Sequence, residues 1–257
     1  MPLSTALIAL TCGTIAYRDG GGEEIGRERF ELASHQAGHI LRAFCEMDDI
    51  SLLRDVTIAM DKFWHPIEGY CRVMIKGQLA AATWIAVDAN GVTAASLLPE
   101  QRLVTEHLPL AEPLAYLGLH PLQGDALIAQ IRGEDAPGAF RPINAVTNSI
   151  SPNGDENLEA IAMTINVAFI GHEMVTVTAG TFAARRYALR WREDWPRCAP
   201  LMRVGRPSRR YFAWSIVNRP RFVCGMLTVY CSIWSRATPL SRSALGQNSA
   251  IAISHSW

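Results

Sequence analysis

Two phrases in this 257-residue sequence pair an acid with an imidazole. In His120-Pro121-Leu122-Gln123-Gly124-Asp125 a glycine allows the chain to turn tightly between the two groups. A carboxylate that orients an imidazole prepares it for proton transfer near neutral pH. Asp61-Lys62-Phe63-Trp64-His65-Pro66 repeats the combination beside two aromatic rings. His120 or His65 would serve as general base and Asp125 or Asp61 as its orienting acid, the chemistry of a cofactor-independent lyase, isomerase or hydrolase. Both phrases also have plain structural readings. Asp125 can cap a short helix while His120 packs beside Leu119, and the second phrase can form a surface corner. Trp64, Tyr70, Trp84 and Arg72 supply aromatic and cationic contacts for a small hydrophobic or amphipathic molecule. Binding of such a molecule is the first functional expectation, and acid–base catalysis in the same pocket is the second.

Other groupings carry less chemistry. Gly20-Gly21-Gly22 and Gly26 brush against a phosphate-binding loop, but a dinucleotide site needs a strand before the glycines and a helix after them. Here they lead into Glu23-Glu24 and an alternating strand, so carboxylates would face the phosphate. His35 and His39 have the spacing that presents two imidazoles to one metal on a helix. Gly38 lies between them and the neighbourhood reads as strand and turn, so no metal site is expected. Cys45-Glu46-Met47-Asp48-Asp49 reads as a strand exit into a solvated turn. Arg27, Arg29, Arg72, Arg186 and Arg190 alternate along strands, where they are solvated or, facing inward, pair with Asp55 or Glu106. No G-x-S-x-G elbow of a serine hydrolase occurs, and no cofactor is implied.

The elements that must position these groups are strands. Glu24 to Leu32 and Gly38 to Glu46 read as a pair, and Leu52 to Met60 as a further strand. Tyr70 to Ile75 runs through Lys76-Gly77 into Leu79 to Val87, and Asn90-Gly91 leads to Val92 to Leu98; this is the pattern of a meander. From Glu112 to Asn157 five prolines interrupt the chain, Asp125 to Arg132 reads as two helical turns, and a loop-rich insertion of this kind is a natural mouth or lid. Met163 to Phe169 alternates cleanly, Gly171-His172 reads as a turn, and Phe182 to Arg192 alternates again. Short strands at this spacing predict a mainly β fold: one antiparallel β-barrel or curled sheet, lipocalin-like, with a loop and short-helix insertion.

The phrase from Val175 to Phe182, Val-Thr-Val-Thr-Ala-Gly-Thr-Phe, resembles the V-x-V-x-A-G-T-F hairpin of a loosely related group of uncharacterised bacterial proteins with a lipocalin-like β-barrel. Ile25-Gly26-Arg27-Glu28-Arg29-Phe30 is similar to their first-strand phrase. The resemblance covers about 30 residues and implies a barrel that holds a small ligand; it implies no catalytic residue and no cofactor.

Charge divides the chain unevenly. Residues 1–198 hold all 24 carboxylates against 16 Lys and Arg, whereas Ala199 to Trp257 hold eight Arg and no Asp, Glu or Lys. The first part is therefore expected to be the β domain, acidic enough to disfavour polyanion partners. The acid-free remainder has the composition of a GC-rich gene read out of frame, with a genuine basic extension and a membrane-associated segment as the alternatives. As an extension it would offer Arg203, Arg206, Arg209 and Arg210 to phosphates and Tyr211, Phe212 and Trp214 to bases. Six cysteines without a C-x-x-C pair predict buried thiols rather than zinc or a disulfide framework. Leu3 to Tyr17 lacks the basic start of an export signal and reads as a first strand. No apolar run reaches the roughly 18–20 uncharged residues of a membrane-spanning helix, so no membrane partner is expected. A cytoplasmic setting is the expectation.

Overall fold

The computed structural model describes residues 7–18, 23–151, 153–156, 158–177, 180–190, 201–205, 214–217 and 228–230. The strands run β1 (Leu7–Arg18), β2 (Glu24–His35), β3 (Gly38–Met47), β4 (Leu52–Asp61), β5 (Pro66–Ile75), β6 (Gln78–Asp88), β7 (Gly91–Leu98) and β8 (Arg102–Pro109). There follow β9 (Tyr116–Gly118), the short helices α1 (Leu122–Asp125) and α2 (Ile128–Arg132), β10 (Phe140–Thr147), β11 (Ile161–Val177) and β12 (Gly180–Arg190). Three short strands close the series: β13 (Leu201–Gly205), β14 (Trp214–Val217) and β15 (Thr228–Tyr230). They form a curled nine-stranded sheet in the order β15-β1-β2-β3-β4-β5-β6-β7-β8 and a six-stranded sheet in the order β14-β13-β12-β11-β10-β9.

Alternation decides which side of the large sheet is core. On β4, Leu52, Val56, Ile58 and Met60 are buried; on β3, Leu41, Ala43 and Cys45; on β2, Phe30 and Leu32. All of these but Cys45 share a cluster with Ile165, Val167 and Phe169 of β11, Tyr187 and Leu189 of β12, and Ala126 to Ala129 between and within the helices. A strand buried on one side presents every second residue to the core. The meander is sustained by local turn chemistry. Lys76 (φ 50°) and Gly77 (φ 77°) both take left-handed backbone, the type I′ geometry that suits a two-residue hairpin.

Several boundaries differ from the sequence reading. Asn90-Gly91 is not itself the hairpin loop: Gly91 already pairs with Asp88, and the Asp88 carboxylate accepts the Asn90 and Gly91 amides at 2.7 and 3.1 Å. An Asx turn therefore replaces the expected Asn-Gly turn. Gly171-His172 does not reverse the chain, because β11 passes through it with a register shift between Phe169 and Gly171. The stretch from Glu112 to Asn157 contains an eight-residue strand, β10, whose Pro142 side is unsuited to a propensity-based reading, and β9 pairs with it in parallel. Asp125 closes α1 rather than capping a helix that starts after it. Gly20-Gly21-Gly22, Trp191, Arg192 and the aromatic and basic side chains proposed as a tail site lie outside the described residues.

Candidate functional site

Polar residues interrupt the apolar face of the large sheet along a line. Glu28 on β2 pairs in register with Cys45 on β3, Cys45 with Arg54 on β4, and one row further on Cys71 on β5 pairs with Thr83 on β6 and Thr83 with Ser96 on β7. All six are buried. Burial of polar groups is tolerated where each finds a partner, and most partners here come from the segment between β9 and β11. Glu28 accepts the Leu122 and Gln123 amides at 2.7 and 3.0 Å, the Tyr17 hydroxyl at 2.8 Å and the Cys45 thiol at 3.8 Å. Arg54 Nη2 donates to the Asn153 and Gly154 carbonyls, the latter at 2.9 Å. Thr83 donates to the Leu158 carbonyl at 3.1 Å. The line is thus a rail on which the loop-rich segment is clamped.

Burial sets the acidities along it. Loss of hydration lifts the Glu28 carboxyl to about 7 against the opposing pull of the Gln123 amide, Tyr17 hydroxyl and Leu122 amide, with the nearby Asp125 charge adding to the rise. Burial also lifts the Cys71 thiol to about 11 although Arg54 and Asn148 draw it down, and lifts Cys45 well above its ordinary value with the Glu28 charge assisting. Both thiols are therefore protonated at neutral pH and poor nucleophiles.

His120 and Asp125 belong to the segment that covers this rail. His120 takes left-handed backbone (φ 71°), and its Nε2 lies 3.0 Å from the Ser149 carbonyl oxygen, which requires a proton on that nitrogen. Asp125 is buried and accepts the Tyr116 hydroxyl at 2.6 Å. Asp61 and His65 sit at the exposed β4–β5 corner, their side chains 3.4 Å apart. Burial opposes ionisation of Asp61, but the His65 and Phe63 amides that its Oδ1 accepts outweigh it and hold the carboxyl below its ordinary range. Trp64, also left-handed (φ 72°), stacks on His39 at 3.6 Å. The corner is a folded Asx turn with a ring stack beside it.

Tyr70, Arg72 and Trp84 lie on the other side of the large sheet, because Cys71, Val73, Thr83 and Ile85 claim the core side. Arg72 stands over the Tyr70 ring and 3.8 Å from Asp55, and Trp84 donates its indole N–H to Glu68 at 2.7 Å. On this same outer side, β1 to β4 form a groove of about 590 Å³ lined by Cys12, Thr14, Arg29, Glu31, Arg42, Phe44, Asp55 and Thr57, with Gly13, Phe30 and Ala43 at its floor. Glu31 and Arg42 are register partners but make no ion pair among the described residues, and Phe44 remains 38% exposed. Of the other arginines, Arg27 holds Glu24, Glu46 and Asp48, Arg29 holds Glu46, and Arg190 covers the Phe140 ring. No group of three or more metal-ligating side chains occurs among the described residues.

Sequence reasoning did not single out Glu28, Arg54 or the groove. The first two had a signal: Gly26, Glu28, Phe30 and Leu32, like Leu52, Arg54, Val56 and Ile58, place a charge at the apolar parity of an alternating strand. No family model and no curated protein matches the sequence. The solved structures similar to the chain include two of unknown function. One is a DUF1089-family protein from Pseudomonas aeruginosa, 12% identical over 76% of this chain and 90% of that one, TM-score 0.43. The other is a β-barrel-like protein of a domain of unknown function, DUF1849, from Brucella abortus, 10% identical over 86% and 89%, TM-score 0.42.

Proposed function

We propose that the protein binds one small amphipathic molecule in the groove on the outer side of β1 to β4. The observation that supports this is the lining: an exposed Phe44 ring beside a guanidinium and a carboxylate, Arg42 and Glu31, that face each other without pairing. Exposed cross-strand charges of opposite sign gain little from each other in water, so both stay available to a ligand. A recess of about 590 Å³ falls within the range of small-ligand sites. Phe44 would take the apolar part and Arg42 an anionic group, through the paired N–H donors that suit carboxylates and sulfonates.

Anilinonaphthalene sulfonate, an aromatic anion whose fluorescence rises on binding, is a suitable probe. Titration should give one saturable site, weakened about tenfold by Arg42→Ala and by Phe44→Ala. Leu103→Ala, on exposed β8 well outside the groove lining, should leave it unchanged. All three positions are surface ones, where substitution leaves stability within about 0.5 kcal/mol. Equal binding by all four proteins would sink the proposal.

A further inference from the structure

β8 is the long open edge of the large sheet. Among the described residues it pairs with β7 alone, through eight residues without a register shift. The other strands that end a sheet, β9, β14 and β15, have three, four and three residues. Short edge strands offer a second chain little to pair with, whereas eight residues present a row of N–H and C=O groups on their far side. β8 also lacks lysine, and its one proline is its last residue, Pro109.

Two charged side chains restrict what can pair there. The ladder with β7 places Arg102, Val104 and Glu106 opposite the buried Leu98, Ser96 and Ala94, so they share the core side. Leu103 and Thr105 share the outer side with Leu97 and Ala95. One carboxylate oxygen of Glu106 is buried, and no group among the described residues donates to it. Arg102 meets Glu159 at 2.8 Å, yet its side chain stays 59% exposed. A charge that faces inward at an edge guards it against indiscriminate pairing, because most registers leave that charge without a counter-ion. One register of a symmetric pair supplies the counter-ion. With Val104 on a two-fold axis normal to the sheet, Arg102 of each copy stands opposite Glu106 of the other, and Leu103 opposite Thr105. Moving the axis to Thr105 sets Glu106 against Val104, and moving it to Glu106 sets carboxylate against carboxylate.

We propose that a second copy of this chain pairs antiparallel with β8 in the register centred on Val104, joining two nine-stranded sheets into one. The two cross-strand ion pairs select the register, and the backbone ladder with its side-chain contacts holds it. On the outer side Leu103, 70% exposed in the single chain, comes to a diagonal position from its symmetry mate beside Leu97, and both lose water on pairing. The edge shares no residue with the groove on β1 to β4.

Sedimentation equilibrium of the full chain between about 2 and 200 µM, the range of a small transient interface, should show one chain passing to two. Thr105→Lys, at an exposed outer position, places a lysine on the edge and should weaken association at least about tenfold. Arg102→Glu and Glu106→Arg each oppose like charges across the axis and should do the same. Mixed in equal amounts, these two variants should associate within about threefold of the unaltered chain, because each meets opposite charges in the other. The chain carrying both substitutions should recover likewise. Along one strand the two positions lie about 13 Å apart, so neither recovery can arise within a single chain. Phe44→Ala, in the groove, should leave association unchanged. A chain that stays single throughout this range overturns the proposal. So does a dimer that Thr105→Lys or the single charge reversals leave intact, or a mixture that stays dissociated although each variant keeps its near-ultraviolet circular dichroism.

Discussion

At the scale of single residues, Gly154 is held by both its backbone and its neighbours. It has left-handed backbone (φ 67°), and a Cβ there would stand 2.4 Å from Arg54 Nη2 and 2.7 Å from His120 Cγ. The glycine thus lets the loop close over the buried guanidinium and the imidazole together. Gly77, in the β5–β6 turn, supplies a reference, since it too has a positive φ (77°) and a Cβ there would meet nothing within 4 Å. Gly77→Ala should cost about 1 kcal/mol for the backbone alone, and Gly154→Ala at least about 2 kcal/mol more because Arg54 is held by its carbonyl partners. Urea unfolding of both variants measures the difference; equal losses would mean that Arg54 and His120 move aside freely. The importance of Arg54 itself was legible, as a charge at a core parity of β4. The role of Gly154 was not, because it depends on a contact between positions 100 residues apart that no local pattern encodes.

At the scale of elements, α1 is too short to stand alone and is fixed by what receives its first amides. Glu28 does this from β2, so the helix is anchored by a buried carboxyl that titrates at about 7. A carboxyl whose folded value lies above the unfolded one, here 4.5, binds protons more readily in the native state. Its contribution to stability is fully present below pH 4.5 and is lost as pH rises through about 7. The loss from this group is bounded at about 3 kcal/mol. Glu28→Gln should flatten that part of the stability profile, measured by urea unfolding at pH 5 and pH 8, and a slope equal to wild type would remove Glu28 as its cause. Arg132 anchors α2 in the same manner, donating to the Val167 and Ala139 carbonyls and to Asp135. Arg132→Met should cost about 3 kcal/mol or more, seen as a lowered urea midpoint, since two carbonyls and a carboxylate lose one shared donor. The meander from β2 to β7 was readable in outline because alternation and turn residues are local. β10 was hidden by its proline, and the continuity of β11 by a glycine that marks a register shift rather than a turn.

At the scale of the whole molecule, the last short strands are what extend both sheets. β15 pairs with β1, and β13 pairs with β12, with β14 outside it. The charge boundary near residue 198 that divides the composition so sharply is therefore not a boundary in backbone pairing, which continues at Leu201–Gly205. Composition weighs side chains, whereas a sheet edge is closed by backbone N–H and C=O groups that every residue but proline carries in full. A chain ending at residue 198 would leave β1 and β12 as open edges, one on each sheet, and long unpaired edges recruit other chains. Such a truncation should self-associate in a concentration-dependent way by light scattering and unfold at lower temperature than the full chain. Adding Lys at outward positions of β1, at Thr14 for instance, should suppress the association without restoring the unfolding temperature, because charge blocks edge pairing but replaces no ladder. A monodisperse truncation with an unchanged unfolding temperature would mean that pairing by residues 201–230 contributes nothing to the fold, and that the acid-free segment lies outside the cooperative unit despite its strands.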